Sequence, residues 1–179
     1  MTKDARDARP RMDVFDAVRT LLAVRSYQAK PVPYAIVRRI LEAGRLTGSG
    51  MNRQPWHFIV VRNPETLKSL GALASSGPYI AQAPLAIVIA TDKSRFAVSD
   101  ASRAIQSMML TAWADGVGSN WVGFGGLDKA KALLDIPGAL DVLAILPFGY
   151  PTRAMGKGRK QRKALSEVAH LERYGHRFE

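Results

Sequence analysis

The stretch PLAIVIATD, residues 84–92, decides the fold of this chain. Its six consecutive apolar residues, Leu85–Ala90, lie between a proline and a Thr-Asp pair, and such a run is typical of a central strand buried on both faces of a sheet. A second apolar segment follows at Val98–Asp115 and ends at Gly116. Because its apolar residues cover much of the helical circumference, we expect it to be the buried central helix of the domain.

Shorter segments with helical or strand periodicity alternate on both sides of this pair. The predicted helices are 13–24, with Asp13 as its N-cap, Tyr34–Leu46, Pro64–Leu73, capped by Asn63, and Asp128–Leu134. The predicted strands are His57–Arg62, Asn120–Phe124 and Val142–Phe148. The elements interleave without an internal repeat or a linker. We therefore expect a single α+β domain, residues 13–179, after a flexible N-terminal arm, residues 1–12.

The composition indicates a globular protein with a strong basic bias. The chain has 179 residues, of which 47% are hydrophobic and 23% are charged, as in soluble single domains. Subtracting 15 acidic from 26 basic residues gives a formal charge of +11. Such basicity fits a nucleic acid, an anionic membrane surface or a phosphorylated ligand, and it does not choose among them. The basic segment 157–163 favours nucleic acid, although no recognition helix or aromatic platform accompanies it.

Several function classes are excluded by missing features. The absence of cysteine removes disulfide scaffolds, thiolate nucleophiles, zinc fingers and iron–sulfur clusters. No apolar run approaches the ~20 residues of a membrane-spanning helix, and the stretch 1–12 lacks the apolar core of a signal peptide. The three histidines, His57, His170 and His176, form no triad or metal-binding pattern. We expect a cytoplasmic protein without a metal, whose demanding chemistry depends on a bound organic cofactor.

Two basic segments are candidates for binding a phosphate. Arg25, Ser26 and Gln28 follow the first predicted helix, and an arginine beside a hydroxyl in a turn suits a phosphate or a polyol chain. The alternative is that Ser26 ends the helix and Arg25 is merely solvated. Lys160 and Arg162 lie two residues apart in a segment that we expect to be extended, so both cations point to one side, where they would hold a phosphate or remain solvated.

Two further segments suit a flat heterocycle. Asn52 and Gln54 each offer amide donors and an acceptor, and in an extended segment stiffened by Pro55 they point the same way. The alternative is an ordinary Gly/Asn/Pro loop, and Trp56 is expected in the core. Glycines at 116–126 would let the backbone approach a ring, although turns alone explain them, and their spacing does not match a dinucleotide-binding fingerprint.

Five short motifs occur in an order that is specific, although each one apart from Asn52-x-Gln54-Pro55-Trp56 is weak by itself. The motifs are Arg25-Ser26 with Pro31-Val32-Pro33, Ser49-x-x-Asn52-x-Gln54-Pro55-Trp56-x-Phe58, Asp100-x-x-x-Ala104-x-Gln106, Ala112-x-x-x-Gly116-x-Gly118-Ser119-x-Trp121-x-Gly123, and Gly149-Tyr150-Pro151 with Arg162-Lys163-x-Leu165-x-Glu167-Val168. Together they extend over Val14–Tyr174, nearly the full chain. On these motifs the chain resembles the nitroreductase family of FMN-dependent oxidoreductases.

The resemblance implies a fold, an assembly and a set of site residues. The fold is a mixed, mainly antiparallel sheet flanked by helices, and the assembly is a homodimer in which each C-terminal extension reaches the partner's sheet. Two FMN sites would lie at the subunit interface, each built from both chains. The residues implied around FMN are Arg25, Ser26, Gln28, Lys160 and Arg162 at the phosphate, ribityl chain or pyrimidine edge, and Ser49, Asn52, Gln54, Gly123, Phe124 and Gly149 along the ring.

The resemblance also implies an activity. Hydride would pass from NADH or NADPH to FMN and then to an electron-poor small molecule (a nitroaromatic, a quinone or an enone) in a ping-pong cycle. Two departures from the family pattern are Gln28, where a second arginine is usual, and Ser49, which lies between glycines. The alternatives are a specialised flavin enzyme of the same fold, such as a deiodinase, a flavin destructase or an azoline oxidase, and a basic nucleic-acid-binding domain.

Overall fold

A four-stranded antiparallel sheet forms the centre of the computed structural model, which describes residues 12–123, 127–153 and 160–178. Its strands are β1 (Trp56–Val61), β2 (Leu85–Asp92), β3 (Gly118–Ser119) and β4 (Leu140–Gly149), in the spatial order β1-β2-β4-β3. The helices are α1 (Val14–Thr20), α2 (Tyr34–Arg45), α3 (Pro64–Leu73), α4 (Ala97–Ala114), α5 (Asp128–Leu133) and α6 (Leu165–Val168). This arrangement confirms the predicted α+β class with a mainly antiparallel sheet.

The predicted central strand is β2, which pairs with β1 on one side and with β4 on the other. Seven of its eight residues are buried. Successive side chains point to opposite faces of a sheet, so Ile87 and Ile89 enter one hydrophobic core, whereas Val88 and Ala90 enter a second core on the other face. Burial on both faces explains why this strand is continuously apolar instead of alternating.

Helices cover both faces of the sheet. On one face, α4 contributes Ala101, Ile105, Met108 and Ala112 to the first core, which confirms the prediction of a buried central helix. Helix α2 packs against α4 at Gly44, where an added Cβ would lie 2.8 Å from the Met108 sulfur, so glycine allows the two helices to come this close. Helices α3 and α5 supply the second core on the opposite face.

The first helix is shorter than the sequence predicts. It ends at Thr20 instead of Val24, and Asp13 occupies the N-cap position without a side-chain capping hydrogen bond. The reason is a long-range pairing that helical periodicity does not reveal. The Val24 amide donates to the Ser119 carbonyl at 2.9 Å, and this bond draws the residues after α1 alongside β3.

The strand predicted at 120–124 is also misplaced. The strand is Gly118–Ser119, and Val122 makes only an isolated antiparallel bridge to β4. An added Cβ at Gly118 would collide with the Val24 side chain, so glycine permits the close approach of these two segments. A glycine placed for packing therefore looked like a turn residue in the sequence.

Other local predictions are confirmed. Asn63 caps α3, because its side chain accepts a hydrogen bond from the Thr66 amide at 3.0 Å. Trp56 is buried in the core, as expected. The N-terminal arm stays a prediction, because residues 1–11 lie outside the described part of the chain. Within the described ranges, no helix combines the length and apolar character needed to cross a membrane.

Candidate functional site

The first predicted phosphate segment pairs with the residues that follow β4. The Ser26 hydroxyl lies 2.9 Å from the Thr152 hydroxyl, and the Gln28 side chain donates to the Pro151 carbonyl at 2.7 Å. The alternative in which Ser26 ends a helix is wrong, because the helix has ended several residues earlier. Arg25 and Ser26 are exposed, but the Ser26 hydroxyl, like the amide nitrogen of Gln28, already has a structural partner in the residues after β4.

Close packing requires a glycine at position 149, the last residue of β4. An added Cβ would lie 2.7 Å from the Pro84 ring and 2.8 Å from the Tyr27 ring. The Tyr27 hydroxyl donates to the Val24 carbonyl at 2.6 Å, and burial raises the pKa of this hydroxyl far above its ordinary value. Tyr27 is therefore a neutral structural group. The predicted position of Gly149 beside a flavin ring stays a prediction.

The segment with Asn52 and Gln54, which was predicted to be extended and to face a flat ring, is instead a tight loop. Met51, Asn52 and Gln54 have φ angles of 51°, 54° and 49°, in the left-handed region that non-glycine residues rarely adopt. The expectation that Pro55 holds Gln54 extended is wrong, because the Ser49 hydroxyl accepts a hydrogen bond from the Gln54 amide at 2.9 Å and closes the loop. The two side-chain amides nevertheless meet, since Gln54 Nε2 lies 3.2 Å from Asn52 Oδ1.

Two residues at the start of α4 anchor this loop. Asp100 Oδ2 accepts a hydrogen bond from the Gly50 amide at 3.0 Å, and Asp100 Oδ1 accepts one from Arg103 at 3.3 Å. Arg103 also donates to the Gly48 carbonyl. Sequence reasoning included Asp100 only as part of a motif and did not consider Arg103. The available signal was a carboxylate on the otherwise apolar face of a buried helix.

A cavity of about 790 Å³ lies between α1, α4 and the C-terminal segment. Its size is within the range of pockets that hold cofactors. The residues that line it are Phe15, Val18, Arg19, Leu21, Leu22, Ala23, Gln106, Met109, Asn120, Trp121, Lys160 and Arg162. The described lining thus combines an apolar wall with three basic side chains, and it includes no carboxylate.

The structure brings the predicted cation pair together in this cavity. Lys160 and Arg162 both line it, and Lys160 donates to the Val18 carbonyl at 2.7 Å. Partial burial, and secondarily the charge of Arg162, lower the pKa of Lys160 below its ordinary value. Two neighbouring cations that repel each other in a partly desolvated position gain stability from a bound anion.

The predicted phosphate and ring residues do not form one site within a single chain. The Ser49–Gln54 loop is absent from the lining of the cavity, and no hydrogen bond or ion pair between described residues joins the two. At Gly123, an added Cβ would collide with the Trp121 indole, so packing explains this glycine as well. Phe124 lies outside the residues that the structure describes.

The described histidines and carboxylates form no metal site or catalytic triad. No group of three or more of these side chains in the described ranges is close enough to hold a metal ion. His57 Nε2 lies 3.4 Å from Asp92 Oδ1 on the surface, and the His170 ring packs against Tyr174 with 4.5 Å between ring centres. Neither pair lines the cavity.

Comparison with known proteins assigns the family. The model of the nitroreductase family matches residues 22–83 and 75–150. A protein of Methanothermobacter thermautotrophicus, named as a candidate NADH dehydrogenase/NAD(P)H nitroreductase, is 34% identical over 155 residues, which is 82% of this chain and 81% of that protein. The match therefore extends over most of both proteins.

Solved structures agree with this assignment. The crystal structure of a Bacteroides thetaiotaomicron protein, also named as a candidate NADH dehydrogenase/NAD(P)H nitroreductase, has a TM-score of 0.83 and 26% identity, and covers 90% of this chain and 98% of that one. An FMN-dependent nitroreductase from Clostridium difficile has a TM-score of 0.79 and 25% identity, with coverage of 89% and 99%. The chain belongs to the nitroreductase family.

Proposed function

We propose that this chain is an FMN-dependent oxidoreductase that takes hydride from NADH or NADPH and reduces an electron-poor small molecule such as a nitroaromatic, a quinone or an enone. The observation that carries the proposal is the cavity in which Lys160 and Arg162 face an apolar wall that includes Leu22, Met109 and Trp121. Family membership supports it, since one relative of the same fold is named as an FMN-dependent nitroreductase.

The chemistry of the cavity fits FMN. Its basic residues suit a phosphate, because ammonium and guanidinium groups form charge-assisted hydrogen bonds with phosphate oxygens. Its aliphatic and indole side chains suit one face of a flat aromatic ring. Asn120 is buried and lines the same wall, and its amide nitrogen already donates to the Tyr79 hydroxyl and the Trp121 carbonyl, so its side-chain oxygen is the group left for a polar ring edge. The described lining itself contains no carboxylate, although Arg19 is already paired with Asp16 at 2.7 Å, so Lys160 and Arg162 are the cations left for an anionic ligand.

The residues of the chain have separate roles in this proposal. Lys160 and Arg162 bind the phosphate from the cavity. Arg25 and Ser26 are exposed but do not line the cavity, and we assign them to the phosphate or the ribityl chain on the family pattern alone. The side-chain amides of the Ser49–Gln54 loop donate to the polar edge of the ring and stabilise negative charge that develops there. Bound FMN supplies hydride transfer between the nucleotide and the acceptor. Because no histidine or carboxylate is among the described residues of the cavity, we assign protonation to solvent.

A homodimer with shared sites would bring together the Ser49–Gln54 loop and the Lys160–Arg162 pair. The Ser49–Gln54 loop and the cation pair are separate within one chain, and a site built from two chains brings the loop of one to the cations of the other. The C-terminal segment supports this assembly, because it exposes large apolar side chains that a partner would bury. Those that are at least half exposed are Leu165, Val168, Leu171, Tyr174 and Phe178.

The partner's C-terminal segment also has a place to bind. Strand β1 is at the edge of the sheet and pairs only with β2 among the described residues. An edge strand offers a row of unpaired backbone groups that a segment of another chain can join. We therefore propose that the extension of each subunit reaches the sheet of its partner.

Flavin spectroscopy tests the proposed function. The purified protein, or apoprotein reconstituted with FMN, is expected to be yellow and to lose its flavin absorbance when NADH or NADPH is added without oxygen. The rates with the two nucleotides give the preference, and a panel of nitroaromatic, quinone, enone and iodotyrosine acceptors gives the substrate class. Reoxidation by iodotyrosine alone would favour the specialised alternative. A colourless protein that fails to bind FMN, yet binds DNA with a steep salt dependence, would overturn the proposal.

A further inference from the structure

Asp100 is a buried carboxylate that the proposed chemistry does not use. It lies in the first turn of α4 with 4% of its surface exposed, among alanines that pack into the core. Burying a carboxylate is unfavourable unless both of its oxygens have donors. Both do, since one oxygen accepts from the Gly50 amide and the other from Arg103. One donor belongs to the Ser49–Gln54 loop, and the other is a side chain that also contacts the Gly48 carbonyl just before this loop.

The two anchored backbone groups flank Ser49. Asp100 holds the amide of Gly50, and Arg103 donates to the carbonyl of Gly48. Ser49 in turn accepts from the amide of Gln54, so the start of the loop also fixes its end. The Asp100–Arg103 pair therefore connects the central helix to the peptide groups on both sides of Ser49, and Thr47, just before them, adds a hydrogen bond to Ser107 of α4 at 2.9 Å.

This loop needs external support because its backbone is strained. Three of its residues, Met51, Asn52 and Gln54, adopt left-handed φ angles without being glycine. Such conformations persist only where the surroundings over-determine them, and they are concentrated at ligand sites. Met51 is 70% exposed, so burial of its own side chain does not hold the turn.

We propose that Asp100 and Arg103 are positioning residues that hold Ser49, Asn52 and Gln54 in the geometry that binds the flavin ring. The inference rests on the proposed function for its ligand. Its physical basis is a pair of charge-assisted contacts from a buried helix to the two peptide groups on either side of Ser49. The pair touches the loop and not the ligand, so it acts only through the loop.

The test compares three variants of the full chain. In Asp100→Asn, a single acceptor oxygen remains, and the new amide group faces either the Gly50 N–H or the Arg103 guanidinium, which are both donors. Arg103→Met keeps the aliphatic stem and frees the Gly48 carbonyl. Asp115→Asn is the matched control, because Asp115 is a largely buried carboxylate at the other end of α4 that pairs with Arg39 at 3.2 Å.

Hydrogen exchange of the protein without added FMN is the first measurement. We expect amide exchange in residues 49–54 to accelerate about tenfold in Asp100→Asn and about threefold in Arg103→Met, with exchange in β2 unchanged. Asp115→Asn is expected to leave the loop at the wild-type rate. Unchanged loop exchange in both loop variants would overturn the inference without any reference to flavin.

FMN titration of the apoproteins is the second measurement. We expect the Kd to rise about tenfold in Asp100→Asn and severalfold in Arg103→Met, with recovery of most of this loss in Arg103→Lys and a wild-type Kd in Asp115→Asn. If Asp100→Asn does not fold, the Arg103→Met and Arg103→Lys variants test the positioning role. Wild-type protein that binds no FMN refutes the proposed function. FMN binding that is strong in wild type and equal in all variants refutes only the positioning role.

Discussion

Replacing Lys160 by glutamine is expected to weaken FMN binding about tenfold. Lys160 is partly buried, lines the cavity and already donates to the Val18 carbonyl at 2.7 Å, so its ammonium is held in place before a ligand arrives. A hydrogen bond to a charged group contributes about 1.5–3 kcal/mol. The lower end applies here because the group keeps some contact with solvent and Arg162 still faces the phosphate. About 1.4 kcal/mol corresponds to a tenfold change in Kd.

Titration with two flavins separates a phosphate contact from general damage. Apoprotein is titrated with FMN and with riboflavin, which lacks the phosphate, and binding is followed by the quenching of flavin fluorescence. Lys160→Gln should lose FMN affinity and keep riboflavin affinity. Lys163→Gln is the matched control, because Lys163 is an exposed lysine of the same segment that does not line the cavity. An equal loss for both flavins, or no loss for FMN, would refute the reasoning.

The same residue gives FMN binding a pH dependence. Partial burial and Arg162 lower the pKa of Lys160 in the free protein, and a bound phosphate raises it. FMN affinity should therefore be highest below the lowered pKa and decrease as the pH rises through it, and Lys160→Gln should lack this step. The stability of the free protein depends on pH with the opposite sign. Between the lowered pKa and the ordinary value, about 10.4, the unfolded chain binds more protons, so the contribution of Lys160 to stability rises with pH.

Four further substitutions test the fold and the assembly. Asn63→Ala removes the cap of α3 and should cost about 1 kcal/mol in denaturant unfolding, whereas Asp13→Ala, whose side chain makes no cap bond, should cost less than half as much. Gly149→Ala forces a Cβ to 2.7 Å from the Pro84 ring and should cost about 1–3 kcal/mol, read from the Tm of the variant. Tyr174→Asp charges a side chain that is 92% exposed in one chain; sedimentation should show a shift from dimer to monomer, and an unchanged dimer would contradict the proposed interface.

The parts of the fold that the sequence could predict are those set by local pattern. The apolar run in β2 and the all-round apolar character of α4 follow from periodicity and burial, and the cap at Asn63 follows from side-chain chemistry. Contacts between distant segments were not predictable in this way. The hydrogen bond from Val24 to Ser119 ends α1 early, and no residue within the helix signals it.

The same difference between local pattern and long-range contact applies to the candidate site. That Lys160 and Arg162 line one cavity agrees with their spacing of two, which is a local property, and their contact with a phosphate stays a prediction. The conformation of the Asn52–Gln54 turn was not predictable, because its left-handed angles depend on a carboxylate about 50 residues away in α4. Amide side chains and a following proline are equally compatible with an extended segment, so the residue types alone did not distinguish the two.

The position of β2 between two cores has a consequence for how this protein unfolds. Ile87 faces one core and Val88 the other, so neither layer of helices can separate from the sheet without exposing one side of the same strand. Denaturation should therefore be a single cooperative transition, with no partly folded species that keeps one layer intact. Helices α4 and α5 and strand β3 lie between β2 and its partner β4 in the sequence. Such distant pairing makes the chain a slow folder for its size, because a long loop must close before the central contacts form.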